Sequence, residues 1–149
     1  MAGYSVKGLS GGTSVQGVLY VNVAASSPQR GCVTSCEFGF TTVASAAFTW
    51  VLQRCTTAAT GTSRTPTPDD SADAATTLVA QDTITVDGSI TANSFSLYWP
   101  FYQNNSGRWV AENDRQRKMI PATASNGYML GLSAATTTVG AGMIHFEQQ

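Results

Sequence analysis

The chain has 149 residues and a mass of 15.6 kDa, with 42% hydrophobic and 11% charged residues and a formal net charge of -1, which describes one domain of ordinary size. Charged residues are fewer than half the roughly 25% of an average soluble domain, and 20 Thr, 15 Ser, 19 Ala and 14 Gly take their place. Such a surface repels itself weakly and suits permanent packing in an assembly, while a pI near 5.6 with eight dispersed basic residues argues against nucleic-acid binding.

No apolar run approaches the roughly 20 residues that cross a bilayer, so no membrane partner is expected. Met1 to Gly8 shows no basic segment followed by an apolar core, and assembly in a cytoplasm is the expectation. Cys32, Cys36 and Cys55 are odd in number, which predicts reduced, buried thiols rather than a disulfide framework.

In chain order, residues 1–14 are rich in Gly and Ser and read as a flexible arm carrying three hydrophobic anchors, Tyr4, Val6 and Leu9. From Val15 the apolar pattern has period two: Gly17, Leu19, Val21 and Val23 face one way and Val18, Tyr20 and Asn22 the other. A turn at residues 26–31 leads to a second strand from Cys32, with Cys36, Phe38 and Phe40 on one face and Cys32, four residues before Cys36, expected on the same face. Ala47 to Thr56 alternates Phe48, Trp50 and Leu52 against Val51, Gln53 and Cys55, an expected hairpin partner whose parity sets Cys55 away from Cys36.

Residues 56–77 form a Thr/Ala-rich, Pro-containing stretch expected as a long surface loop. Short strands follow at 78–80, 83–86 and 90–92, with Asp87-Gly88 as a hairpin-type turn. Phe95, Leu97 and Trp99 then oppose Ser96 and Tyr98 before Pro100. The mixed charges Glu112, Asp114, Arg115, Arg117 and Lys118 predict an exposed loop, and the last strands carry Tyr128, Leu130 and Leu132, then Ile144 and Phe146 opposite Met143 and His145. With many short strands and no helical period, the chain is read as all-β: a flexible arm at 1–14 and, over 15–149, a single antiparallel β-sandwich of the jelly-roll kind.

No catalytic signature is present; His145 stands alone, the cysteines lie in apolar strand patterns, and neither a cofactor nor a metal is expected. Asp69, Asp70 and Asp73 lack the glycine turn and the later glutamate of a calcium loop. Two surfaces suggest binding instead. Val18, Tyr20, Tyr98, Met129, Met143 and His145 stand opposite the core stripe, which predicts a second covered face and hence a homo-oligomer, with an arm or loop folding back as the alternative cover. Tyr102, Arg108 and Trp109, beside an Asn-rich turn, suggest a sugar-stacking platform as the alternative function.

In the texture of its Gly/Ser arm, its 56–77 loop, the run Ile90-Thr91-Ala92-Asn93-Ser94-Phe95-Ser96-Leu97-Tyr98-Trp99 and the ending Thr136-Thr137-Thr138-Val139-Gly140-Ala141-Gly142, the chain resembles the small jelly-roll decoration, or cement, proteins of tailed bacteriophages. That resemblance implies a non-enzymatic virion protein on the capsid surface, a trimer that clamps neighbouring major capsid subunits. It carries no residue-level motif. Tyr4, Val6 and Leu9 are the expected capsid contacts, and deleting residues 2–12 is expected to leave the folded oligomer intact. The alternative is a glycan- or receptor-binding module of a tail or fibre.

Overall fold

A computed structural model describes residues 1–10, 15–26, 28–41, 47–102, 106–135 and 139–149, excluding the side chains of residues 92, 93, 95, 101 and 102. Among the described residues the regular structure is entirely β: β1 (Ala2–Leu9), β2 (Gly17–Val23), β3 (Gly31–Phe40), β4 (Ala47–Cys55), β5 (Thr60–Arg64), β6 (Thr67–Pro68), β7 (Leu78–Val86), β8 (Ile90–Tyr102), β9 (Gly107–Val110), β10 (Lys118–Ile120), β11 (Gly127–Leu132) and β12 (Gly140–Gln148).

These strands make two antiparallel sheets packed face to face, the β-sandwich expected from the alternating pattern. The first sheet runs β10-β3-β12-β1-β6, with β9 also on β3; the second runs β5-β7-β2-β11-β4-β8. Between them lies one apolar core built on Trp50, Leu19, Leu52, Leu130, Ile144 and Phe146. Phe38 and Phe40 from the first sheet meet Trp50 at ring-centroid distances of 5.2 and 5.5 Å, within the range where tilted aromatic pairs attract.

Several expectations are corrected by the way the chain crosses between sheets. The arm is a strand: β1 pairs with β12 over its whole length, Ala2 opposite Gln148 through Leu9 opposite Ala141, and meets β6 on its other side. Its inward side chains Tyr4 and Val6 are buried, and Tyr4 stacks on Phe146 at 5.5 Å and donates from its hydroxyl to the Ala74 carbonyl at 2.7 Å. Gly11 and Gly12 lie outside the described residues.

The anticipated pairing of β3 with β4 does not form, because β3 belongs to one sheet and β4 to the other; their aromatic faces meet across the core instead. Residues 56–77 are likewise less of a loop than their composition suggests, since β5 extends the second sheet beside β7 and β6 borders the first beside β1. Asp87-Gly88 does not close a hairpin, as β7 and β8 stand far apart in their sheet. The Asp87 carboxylate instead accepts the Gln16 and Gly17 amides at 2.7 and 2.9 Å and the Tyr20 hydroxyl at 3.0 Å. Gly88 packs so closely on the Thr57 carbonyl that a Cβ would collide with it, which is why the residue after Asp87 has no side chain.

Candidate functional site

The six residues assigned to a second, partner-covered face separate into two groups. Tyr20 and Met129 are fully buried within the chain itself, in a smaller cluster with Val15, Val51, Cys55, Ala59 and Ile84. Their cover is therefore supplied within the chain, by a cluster that includes Val15, Ala59 and Ile84. Val18 is buried on the opposite side, in the main core. A register shift explains it: Leu130 pairs with Leu19 but Gly131 with Gly17, so Val18 is the extra residue of a bulge and turns inward. None of these three is available to a partner.

Tyr98, by contrast, is 57% exposed on β8, which among the described residues pairs with β4 alone and so forms an edge of the second sheet. Met143 and His145 are half-buried on the outer face of the first sheet, where they stand opposite Lys7 and Ser5 of β1. The expected capsid contacts divide in the same way: Tyr4 and Val6 are core, but Leu9 is 46% exposed beside Ala141.

Leu9 and Met143 thus come together, one an expected capsid contact and the other an expected interface residue. They share an open groove of about 900 Å³ across β1, β12, β3 and β9. Its walls include Leu9, Ala141 and Met143, and Gly39, paired with Ala141, leaves the outer face of β3 without a side chain there. Strand glycines commonly mark places where another backbone approaches closely. At one side Arg108 pairs with Glu37 at 3.1 Å, and at the other Arg64 pairs with Asp82 at 2.7 Å. Asp82 is 1% exposed and also accepts the Leu9 amide at 3.1 Å and the Thr83 hydroxyl at 3.2 Å, fastening the groove end of β1 to the second sheet. Sequence patterning missed this carboxylate because its partners lie 18 and 73 residues away.

Two members of the anticipated sugar platform, Arg108 and Trp109, do not come together. On β9, Arg108 lies opposite Glu37 while Trp109 lies opposite Cys36, so the two side chains leave opposite faces of the strand. Trp109 packs against the main core, with the Lys118 ammonium 5.6 Å from its ring centre. The Tyr102 side chain lies outside the described residues.

The three cysteines are free and buried. Cys36 and Cys55 sit in different clusters, as strand parity requires. Cys32 does not share the Cys36 face, because the β3–β12 register shift makes Thr34 an extra residue: His145 pairs with Ser35 and Phe146 with Val33. Burial pushes the Cys36 thiol from 9.0 up to about 12 and the Cys55 thiol up to about 11. At neutral pH both are protonated and poorly nucleophilic. Above pH 9 the unfolded chain releases thiol protons that the folded chain keeps, so stability is full below that pH and declines as pH rises towards 11–12. Urea midpoints measured from about pH 8 to about pH 10.5 should therefore fall, and fall less steeply in Cys36→Ala; a midpoint that ignores pH would refute the assignment. Among the described residues no three His, Cys, Asp or Glu side chains gather as metal ligands, and no helix is long and apolar enough to cross a membrane.

One further grouping contradicts the impression of scattered charge. Arg30, Arg54, Arg117 and Lys118, four of the eight basic residues, line a single cavity of about 400 Å³ with Met119, Ile120, Pro121 and Tyr128. The chain matches no protein-family model, no curated protein and no solved structure.

Proposed function

We propose that this chain is a non-enzymatic virion structural protein of the decoration or cement type, one that self-associates as a trimer and holds neighbouring major capsid subunits. The observation that carries the reading is the groove over β1, β12, β3 and β9. It is open and crosses four strands, its wall is partly apolar through Leu9, Ala141 and Met143, Gly39 carries no side chain on that face, and paired charges of both signs flank it. Those features suit an extended segment of a neighbouring subunit, which gains main-chain proximity at Gly39 and side-chain contacts from the apolar wall.

Strand order supports a virion setting. With β5, β6 and β7 set aside as additions and β9 and β10 counted together, the sheets read β1-β12-β3-β9/β10 and β2-β11-β4-β8, an order that supports reading the sandwich as an eight-stranded jelly roll, an architecture common in viral capsid and lectin domains. Self-association is supported by β8, a 13-residue edge strand without a charged residue. Long uncharged edges invite pairing with another chain, and natural monomers usually guard them; here Pro100 and the register shifts between Ile90 and Leu97 are guards, while Leu97 to Tyr102 keeps regular pairing with β4.

Light scattering behind size-exclusion chromatography should give a mass near three chains for the wild type and near one for Tyr98→Lys. Gly39→Tyr, whose Cβ would have Ser106 as its nearest neighbour at 3.4 Å, and Ala141→Arg should fill the groove from its outer side. Both should remain trimers yet lose co-sedimentation with heads of the encoding virus. Undiminished head binding by both groove variants would overturn the groove assignment, and a dilution-independent monomer would overturn the trimer.

A further inference from the structure

We infer that the cationic cavity at one mouth of the sandwich is a binding site for a monosaccharide-sized organic anion, a carboxylate or phosphate carried on a body with an apolar face. Nothing in this inference depends on the virion reading.

The two sheets supply the cations from opposite sides. Arg54 lies on β4 directly opposite Tyr128 of β11, a core residue, so its stem leaves the second sheet on the inner face. Lys118 lies on β10 opposite the core residue Val33, and Ile120 lies opposite Gly31, next to Arg30. Arg117 completes the set, and all four side chains line the same cavity. Arg30 and Arg54 lie far in sequence from the adjacent Arg117 and Lys118, so the full set is not a sequence neighbourhood.

Charge within this mouth is incompletely balanced. Arg117 engages both nearby carboxylates, Asp114 at 3.1 Å and Glu147, whereas Arg30, Arg54 and Lys118 have no ion pair among the described residues. Bringing like charges together without compensation is unfavourable, and an incoming anion relieves that cost. Arginine forks present parallel N–H donors that match carboxylate or phosphate oxygens, and lysine adds a point charge.

The remaining walls specify more than a bare ion. Tyr128, Ile120, Pro121 and Met119 make the cavity partly apolar. At about 400 Å³, it falls within the size range of small-ligand sites and accommodates one ring-sized body. An aromatic wall beside cationic groups suits a sugar acid or a sugar phosphate, whose ring offers an apolar face and whose substituent carries the charge.

The test is a titration of the full ¹⁵N-labelled chain at low salt with glucuronic acid, N-acetylneuraminic acid, glucose 6-phosphate, inorganic phosphate and uncharged glucose, read by amide shifts and calorimetry. At least one sugar anion should saturate the site with shifts centred on Tyr128, Ile120 and Arg54, and bind more tightly than glucose or inorganic phosphate. Preference for the acids or for glucose 6-phosphate identifies carboxylate or phosphate as the recognised group. Arg54→Glu and Lys118→Glu should each weaken binding by about tenfold or more, whereas Arg115→Glu, exposed and outside the cavity, should bind like the wild type. Equal thermal midpoints would show that the variants remain folded. Absence of saturable binding, equal affinity for inorganic phosphate and the sugar anions, or unchanged affinity in both cavity variants would each overturn the proposal.

Discussion

Trp50→Ala should lower the unfolding free energy by about 3–5 kcal/mol, the usual range for removing a large aromatic side chain from a core. Trp50 has no exposed surface, and it stands where both sheets press on one point: Phe38 and Phe40 stack near it from the first sheet, and Trp99 lies opposite it on the neighbouring β8. Gly140 approaches the same ring so closely that a Cβ there would stand 2.9 Å from it. Alanine would leave a cavity that rigid strands on both sides cannot collapse to fill. Trp50→Phe should be much milder. The buried indole N–H has no hydrogen-bond partner among the described residues, and such a group costs about 1–3 kcal/mol, so its removal offsets part of the lost packing. Chemical denaturation of the two variants tests the pair, and equal losses would show that the N–H is satisfied.

Deletion of residues 2–9 should abolish cooperative unfolding, rather than produce a folded oligomer that has merely lost its contacts. Tyr4 and Val6 are almost fully buried, and each such side chain contributes about 1.5–3 kcal/mol through burial. The deletion also strips β12 of a partner along eight residue pairs and removes the Leu9 amide that binds Asp82, leaving that buried carboxylate with fewer donors. Against a total stability of about 5–15 kcal/mol for a typical domain, losses of this size are decisive. Circular dichroism and thermal melts of the truncated chain provide the measurement. A sharp transition near that of the full chain would mean that β1 is dispensable.

The contrast between these two sites shows what kind of information local pattern carries. Phe48, Trp50 and Leu52 alternate with polar or small neighbours in sequence, so their common face was legible from period two alone, and each contributes to the main core. The Gly3, Gly8 and Ser5 positions around Tyr4 and Val6 resemble a linker by composition. What makes that segment a strand is the partner β12, about 140 residues away in the chain, and composition holds no trace of it.

Bulges are the second source of misreading. One extra residue reverses every inside-outside assignment beyond it. It happened at Val18, which enters the core despite its alternation with Leu19, and at Thr34, which sets Cys32 and Cys36 on opposite faces. The period-two rule fails at such points because an unpaired ladder position depends on the neighbouring strand, not on the residue itself.

By itself the sequence determined the all-β character, the sandwich and most core side chains, because backbone pleating forces a period of two on any half-buried strand. Residue chemistry was enough as well to expect free, buried thiols, as the odd cysteine count and apolar settings indicated. Tertiary structure alone decided which strands are neighbours, that the chain itself covers Tyr20 and Met129, that Leu9 and Met143 share one groove, and that four dispersed cations meet at one mouth. Each of those facts concerns residues far apart in the chain, and their proximity is set by how two sheets exchange strands, a global free-energy minimum that no local window contains.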